Sequence, residues 1–175
     1  MKRKTYIPFD SENIDSIDYL LGILDDTRFT TFQRVEDIAV EELHWQYDKE
    51  WNSIGVLLSH IMSSENFFRI HFIEERGLTE IENKEYIPGL EMGKYIPQLI
   101  TDYPINYYIE ELEKSRTLLI NEIKKISKTN FYRKREGYNK KTGYNLAWAL
   151  YHMAEDEVHH RGQISIIRKL YKKMK

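Results

Sequence analysis

Apolar residues return every three or four positions through four long stretches of this chain, with polar residues between them, which is helical rather than strand spacing. The first stretch covers 14–35, where Leu20, Leu21, Ile23, Leu24 and Phe29 supply an apolar face and Asp10 or Ser11 can cap the start. A short turn at 39–43 follows, and 47–51 reads as a loop. The second stretch starts at Asn52 or Ser53 and ends near Gly77, carrying Ile54, Leu57, Leu58, Ile61, Phe68 and Phe72. Over 78–101 the pattern breaks at Pro88, Gly89, Gly93 and Pro97. That connection is longer than a minimal turn, and its tyrosines predict that it folds over the body. Pro104 suits the first turn of a third helix reaching about Ser127, with Tyr108, Leu112, Leu118, Leu119, Ile123 and Ile126 as its stripe. Gly137 and Gly143 punctuate the next loop. The fourth helix begins at Tyr144 or Asn145 and persists to the C-terminal lysines, offering Trp148, Leu150, Met153, Ile164, Ile167 and Leu170 for packing.

Each of these helices would be weak alone, because its apolar stripe has to be covered by a neighbour. Four such helices predict an all-α fold, a four-helix bundle, and the long connection between helices 2 and 3 permits an up-down-down-up path. There is no internal repeat and no alternating run long enough for a sheet. At 175 residues the chain is read as one domain, 1–175, with a sizeable core.

Composition narrows the function classes. The 41% apolar content argues against general disorder, and a formal net charge of -2 gives no electrostatic basis for wrapping nucleic acid. The basic ends, 2–4 and 169–175, are too short to change that, and the basic loop 132–141 reads as a solvated connection. The chain has no cysteine, so disulfides, a cysteine nucleophile and thiolate metal ligands are excluded. No apolar stretch has the length of a signal peptide core or a membrane span, so the expectation is a soluble cytoplasmic protein with no membrane partner.

The candidate chemistry is concentrated in YHMAEDEVHHRGQ, 151–163. His152, Asp156 and His160 recur at four-residue spacing, which puts them near one helical face. His60 lies mid-way along the second helix and can complete a three-ligand set if the two helices pack together. Neutral imidazole and ionised carboxylate both donate to divalent metals, and His60, Asp156 and His160 would leave positions open for water or substrate. Zinc, nickel, iron and manganese all suit such donors. The plainer reading makes His60 a neutral core histidine with a hydrogen-bond partner, and His152, Asp156 and His159 a polar network or surface patch. The spacing is weaker evidence than an HExxH motif, which is absent. His152 is a fourth ligand, a proton relay or an orienting group. His159 belongs beside the site or against another helix. Glu155 and Glu157 diverge from Asp156 and are expected to be solvated, Arg161 and Gln163 to make supporting or inter-subunit hydrogen bonds, and His44 and His71 to be ordinary histidines.

On the strings NSIGVLLSHIMSSENFF (52–68) and HMAEDEVHHRGQI (152–164), the chain resembles the DinB-like (DinB/YfiT-like) superfamily of metal-binding four-helix proteins. The resemblance implies an up-down-down-up bundle, frequently a homodimer, with a divalent metal held by three histidines, one on the second helix and two a turn apart on the last. His60 then takes the first role and His160 the last, while Asp156 stands where histidine is common and His152 offers a compensation one turn earlier. The superfamily includes transferases and isomerases using low-molecular-weight thiols, so the resemblance implies a metal-dependent transferase acting on a small-molecule electrophile; His152, read from the residues as a proton relay, is the candidate catalytic residue. A metal-dependent hydrolase and a non-catalytic metal-stabilised homodimeric binding protein are the alternatives.

Overall fold

The computed structural model describes residues 16–136 and 143–175. The expected caps Asp10 and Ser11, and Gly137 of the basic loop, lie outside the described residues. Along the chain run α1 (Ser16–Val35), α2 (Val40–Leu43), α3 (Ile54–Phe68), α4 (Glu80–Glu91), α5 (Ile96–Leu99), α6 (Ile105–Ile123), α7 (Lys128–Tyr132) and α8 (Leu146–Met174). A π-helical turn, Arg69–Ile73, prolongs α3, and a 3-10 turn, Gly93–Tyr95, precedes α5. Among the described residues the fold is all-α apart from one short antiparallel ladder, β1 (Arg135–Glu136) against β2 (Gly143–Tyr144).

The two helices that matter most for the site start where the polar caps predict. The Ser53 side chain accepts from the Val56 amide at 3.2 Å and opens α3, and Asn145 accepts from the Trp148 amide at 2.9 Å and opens α8. Pro104 sits just before α6 as its N-cap, in extended backbone, rather than inside the first turn.

The segment 78–101 is more helical than its broken pattern suggests. Thr79 and Glu82 form a reciprocal capping box, and Arg76 grips both Glu82 oxygens at 2.7 and 2.8 Å. Hydrogen bonds from Arg76, then from the Thr79 backbone, hold the Glu82 carboxyl at about 2. The helix escaped the periodicity because it lies on the outside of α3 and buries little; Gly89 is its one fully buried residue. Its helix axis passes so close to α3 that a Cβ on Gly89 would fall 2.2 Å from Ser63 Oγ and 2.8 Å from the Ser59 carbonyl oxygen.

The four long helices close a ring: α1 packs on α8, α8 on α3, α3 on α6, and α6 on α1. Inside it are two apolar clusters. One contains Val35, Leu57, Leu58, Ile61, Leu112 and Ile164; the other contains Leu24, Phe72, Leu119, Leu150 and Met153. Helices α1 and α8 pass from the second cluster to the first along the chain, and α3 and α6 pass the opposite way. Between the clusters lies a layer of buried charge, and against that layer lies the site.

Candidate metal centre

His60 sits two turns into α3, on the side facing α8, and His160 and Asp156 face it from one side of α8 a turn apart. Asp156 lies between the rings: its Oδ2 is 3.4 Å from His60 Nε2 and its Oδ1 is 3.3 Å from His160 Nε2. The imidazole centroids are 4.6 Å apart at 73°, and one donor atom from each of the three residues lies within 4.8 Å of the others. The side chains are 13%, 28% and 8% exposed for His60, Asp156 and His160, so the carboxylate is the member that meets the opening.

The remaining ring nitrogens explain why these imidazoles are aimed this way. His60 Nδ1–H donates to the Gly89 carbonyl at 2.9 Å, one of the acceptors left unpaired in the last turn of α4. His160 Nδ1–H donates to Gln163 Oε1 at 2.8 Å, and the other end of that amide meets His159 Nε2 at 3.1 Å. With Nδ1 carrying the proton on both rings, both Nε2 lone pairs point at a carboxylate. Like-signed electron density converging in this manner requires a cation or a proton between.

The electrostatics of the triad favour a proton in that role when no metal is bound. Burial works to raise the Asp156 carboxyl, but hydrogen bonds and charge from His160 and His60 outweigh it and hold that carboxyl well below the usual carboxylate range. Burial works to lower the His160 imidazole, yet Asp156 and Gln163 raise it above its ordinary value. The donor set also fits a first-row divalent ion. Such ions bind imidazole nitrogen and carboxylate oxygen at about 2.0–2.2 Å, which sets neighbouring ligand atoms about 3.3 Å apart in a tetrahedral shell. Each Asp156 oxygen has that spacing from one ring nitrogen, and a single ion would draw together a donor set that spans up to 4.8 Å.

His60 and Asp156 line a cavity of about 230 Å³, with His160 set behind them. Its apolar wall includes Ile61, Phe68, Leu90 and Met153, and its polar wall includes Ser64 and His152. His152 is outside the ligand group. Its ring stacks on Trp148 at 4.9 Å and 9°, its Nδ1 is 3.4 Å from Glu155 Oε2, and its side chain is 42% exposed. Among the residues lining this cavity, the 78–101 connection contributes Leu90 rather than Tyr86 or Tyr95. His44, bonded to the Tyr103 carbonyl at 3.0 Å, and His71, stacked on Phe67, stand outside the group as well.

Glu155 is exposed, as expected, but Glu157 is not solvated; its exposure is 1%. One residue on from Asp156, the helix turns it by about 100° into the core. There it joins Arg28, Glu65 and Arg116, one charge from each of the four long helices. Arg28 Nε donates to Glu157 Oε1 at 2.9 Å and its Nη2 lies 3.2 Å from Glu65 Oε1. Arg116 bonds Glu65 through Nε and Glu157 Oε2 through Nη2 at 3.1 Å, and Ser115 donates to Glu65. The spare guanidinium hydrogens go to the carbonyls of Leu112 and Leu24 at 2.6 and 2.7 Å. Burial would lower the Arg28 guanidinium, but Glu157 and Glu65 raise it; burial would raise the Glu65 carboxyl, but Arg116 and Arg28 lower it. Glu65, Arg116 and Glu157 form the floor of the same cavity.

A sequence signal for this quartet exists. Arg28, Glu65, Arg116 and Glu157 each fall four residues after a stripe residue, Leu24, Ile61, Leu112 and Met153. Each therefore occupies a core position on its helix, two of each sign. Arg161, expected to make supporting or inter-subunit bonds, reaches the Thr27 carbonyl and the Thr30 hydroxyl on α1 instead. No described helix is long and apolar enough to cross a membrane.

Compared with known proteins, residues 23–164 match the family model of the DinB superfamily, a span that includes all three members of the triad. A search of curated proteins found no match.

Proposed function

Because the chain belongs to the DinB superfamily, we propose that His60, Asp156 and His160 hold a divalent metal, and that the protein is a transferase using a low-molecular-weight thiol. The observation that carries the metal reading is the convergence of two Nε2 lone pairs and one carboxylate beside a cavity, each ring fixed from behind by a carbonyl oxygen. A bound divalent ion supplies Lewis acidity there, lowering the pKa of a thiol or water. Zinc, nickel, iron and manganese all remain compatible with nitrogen and oxygen donors.

The rest falls to the chain's own side chains. Asp156 neutralises part of the ion's charge. Phe68, Leu90 and Met153 hold the apolar part of an electrophile and exclude water from it. His152, on the same wall and open to solvent, takes or returns the proton. The absence of cysteine fits a thiol brought from outside, and a free reduced thiol calls for a reducing compartment, hence the cytoplasm. The working unit in this reading is a homodimer.

Metal analysis of tag-free protein, with the His60→Ala and His160→Ala variants beside it, is the test. Near-stoichiometric metal in the wild type, lost in both folded variants, is expected, together with consumption of an electrophile only when thiol is added. Full metal affinity in both variants overturns the ligand assignment. Metal-dependent cleavage without thiol replaces the transferase with a hydrolase, the second reading, which the solvent-open position of His152 favours. Asp156→His, which installs the ligand type common in the superfamily, is expected to tighten binding.

A further inference from the structure

The core of α8 is one face; the opposite face is bare. Tyr151, Glu155, Val158, Gly162, Ile166, Lys169 and Lys173 are all exposed, and they follow one another at spacings of four, three, four, four, three and four. On a helix of 3.6 residues per turn these seven fall within about 40° of Gly162, a seam of the kind that two helices share. Tyr151, Val158 and Ile166 are 52%, 46% and 56% exposed, an outlay of apolar surface that a lone exposed helix does not need. A Cβ built on Gly162 meets nothing within 4 Å, so the middle of the seam is open and flat.

The order of residues is what selects the occupant. Moving outward from Gly162, four residues either way gives Val158 and Ile166. Seven residues gives Glu155 and Lys169. Eleven gives Tyr151 and Lys173. In an antiparallel pair of identical helices crossing at Gly162, residues equally distant from it face each other. Each of the three pairings is then favourable: apolar against apolar, carboxylate against ammonium, aromatic ring against ammonium. A seam whose two halves complement each other about its own centre is matched to a second copy of itself; an unrelated partner has no reason to impose that symmetry.

We propose that two copies of this chain associate through the outward faces of α8, antiparallel, about a two-fold axis at Gly162. Val158 of one copy packs on Ile166 of the other, and Glu155 of one pairs with Lys169 of the other, each contact occurring twice. Glycine on the axis lets the two backbones approach more closely than any side chain there would allow. The contact is essentially one helix pair, at the small end of specific interfaces, so the dimer dissociates on dilution. The inference rests on the homodimer reading alone and is independent of the metal.

The cysteine-free chain makes the test direct. In full-length protein, Gly162→Cys places two thiols on the axis, where the Cα atoms come within the roughly 7 Å that a disulfide spans. It is expected to crosslink nearly completely under mild oxidation, while Glu113→Cys, on an exposed position of α6 away from the seam, stays uncrosslinked. Sedimentation over a concentration series gives the second arm. Glu155→Lys and Lys169→Glu singly are expected to weaken the dimer at least tenfold, and the two together to restore it, a rescue that misfolding cannot mimic. Equal crosslinking of the two cysteine variants, or a wild-type dimer indifferent to the charge changes, overturns the seam and leaves the homodimer standing on another face. A wild type monomeric at every concentration overturns both. Crosslinking to another protein class instead of to itself in a mixture with purified chain also overturns the seam.

Discussion

Asp156 and Glu157 are consecutive carboxylates on one helix, and they live in opposite regimes. Glu157 belongs to a closed set of two guanidiniums and two carboxylates in which the polar hydrogens and oxygens are matched across all four long helices. Asp156 belongs to an open set, 28% exposed, with contacts of 3.3 and 3.4 Å to nitrogens whose other sides are already committed. The closed set has nothing left to offer a ligand. The open set is complete only with a proton or a cation between its members. The pair of residues thus separates two uses of buried charge: holding four helices in register, and presenting unsatisfied donors at a cavity wall.

The largest expected effect breaks the closed set. Glu157→Ala leaves two buried guanidiniums, Arg28 and Arg116, sharing the single carboxylate of Glu65, and is expected to cost about 3–5 kcal/mol in denaturant unfolding. Asp156→Ala, one residue away, is expected to cost about 1 kcal/mol or less in the metal-free protein while abolishing tight metal binding. If the two variants lose stability equally, the contrast between the regions fails.

A middle-sized effect is read through pH. The depressed Asp156 carboxyl contributes stability that is present above its ordinary value of 3.8 and is lost as pH falls through the lowered one. The elevated His160 imidazole contributes stability that is present below its ordinary 6.5 and is lost as pH rises through the raised one. In chelator-treated protein the stability gap between wild type and Asp156→Asn is therefore expected to be widest between those limits and to shrink on the alkaline side. Metal uptake runs the other way, strengthening as His160 gives up its proton. Thermal midpoints and metal titrations over the same buffers check both signs.

The smallest effect concerns His152. His152→Ala is expected to change metal affinity by less than about threefold, since the ring stands outside the ligand group, while altering the pH profile of turnover. A tenfold loss of metal would make it a ligand after all.

Much of this was legible in the residues. The all-α character followed from stripes such as Ile54, Leu57, Leu58 and Ile61, because a buried helix face must repeat at the helical period. The triad followed from Asp156 and His160 at one-turn spacing plus a histidine on a facing helix. What escaped was tertiary. Helix α4 lacks a wide apolar face, so its identity rests on the Thr79–Glu82 cap rather than on periodicity. Glu157 looked solvated because a charged residue ordinarily is; only the three partners arriving from α1, α3 and α6 make its burial tolerable. Gly89 looked like a breaker, whereas it is the point where α4 touches α3.

That touch reaches beyond packing. The carbonyl that orients His60 belongs to the last turn of α4, which lies on the outside of α3. When that turn opens, His60 loses the acceptor that fixes its tautomer, and a cation loses one ordered ligand. By reciprocity, occupation of the site holds the turn shut by the same free energy. If the site holds a metal as proposed, amide exchange at 80–91 and metal occupancy are expected to move together, so that a substitution on the outside of the molecule changes the affinity of a site it never touches.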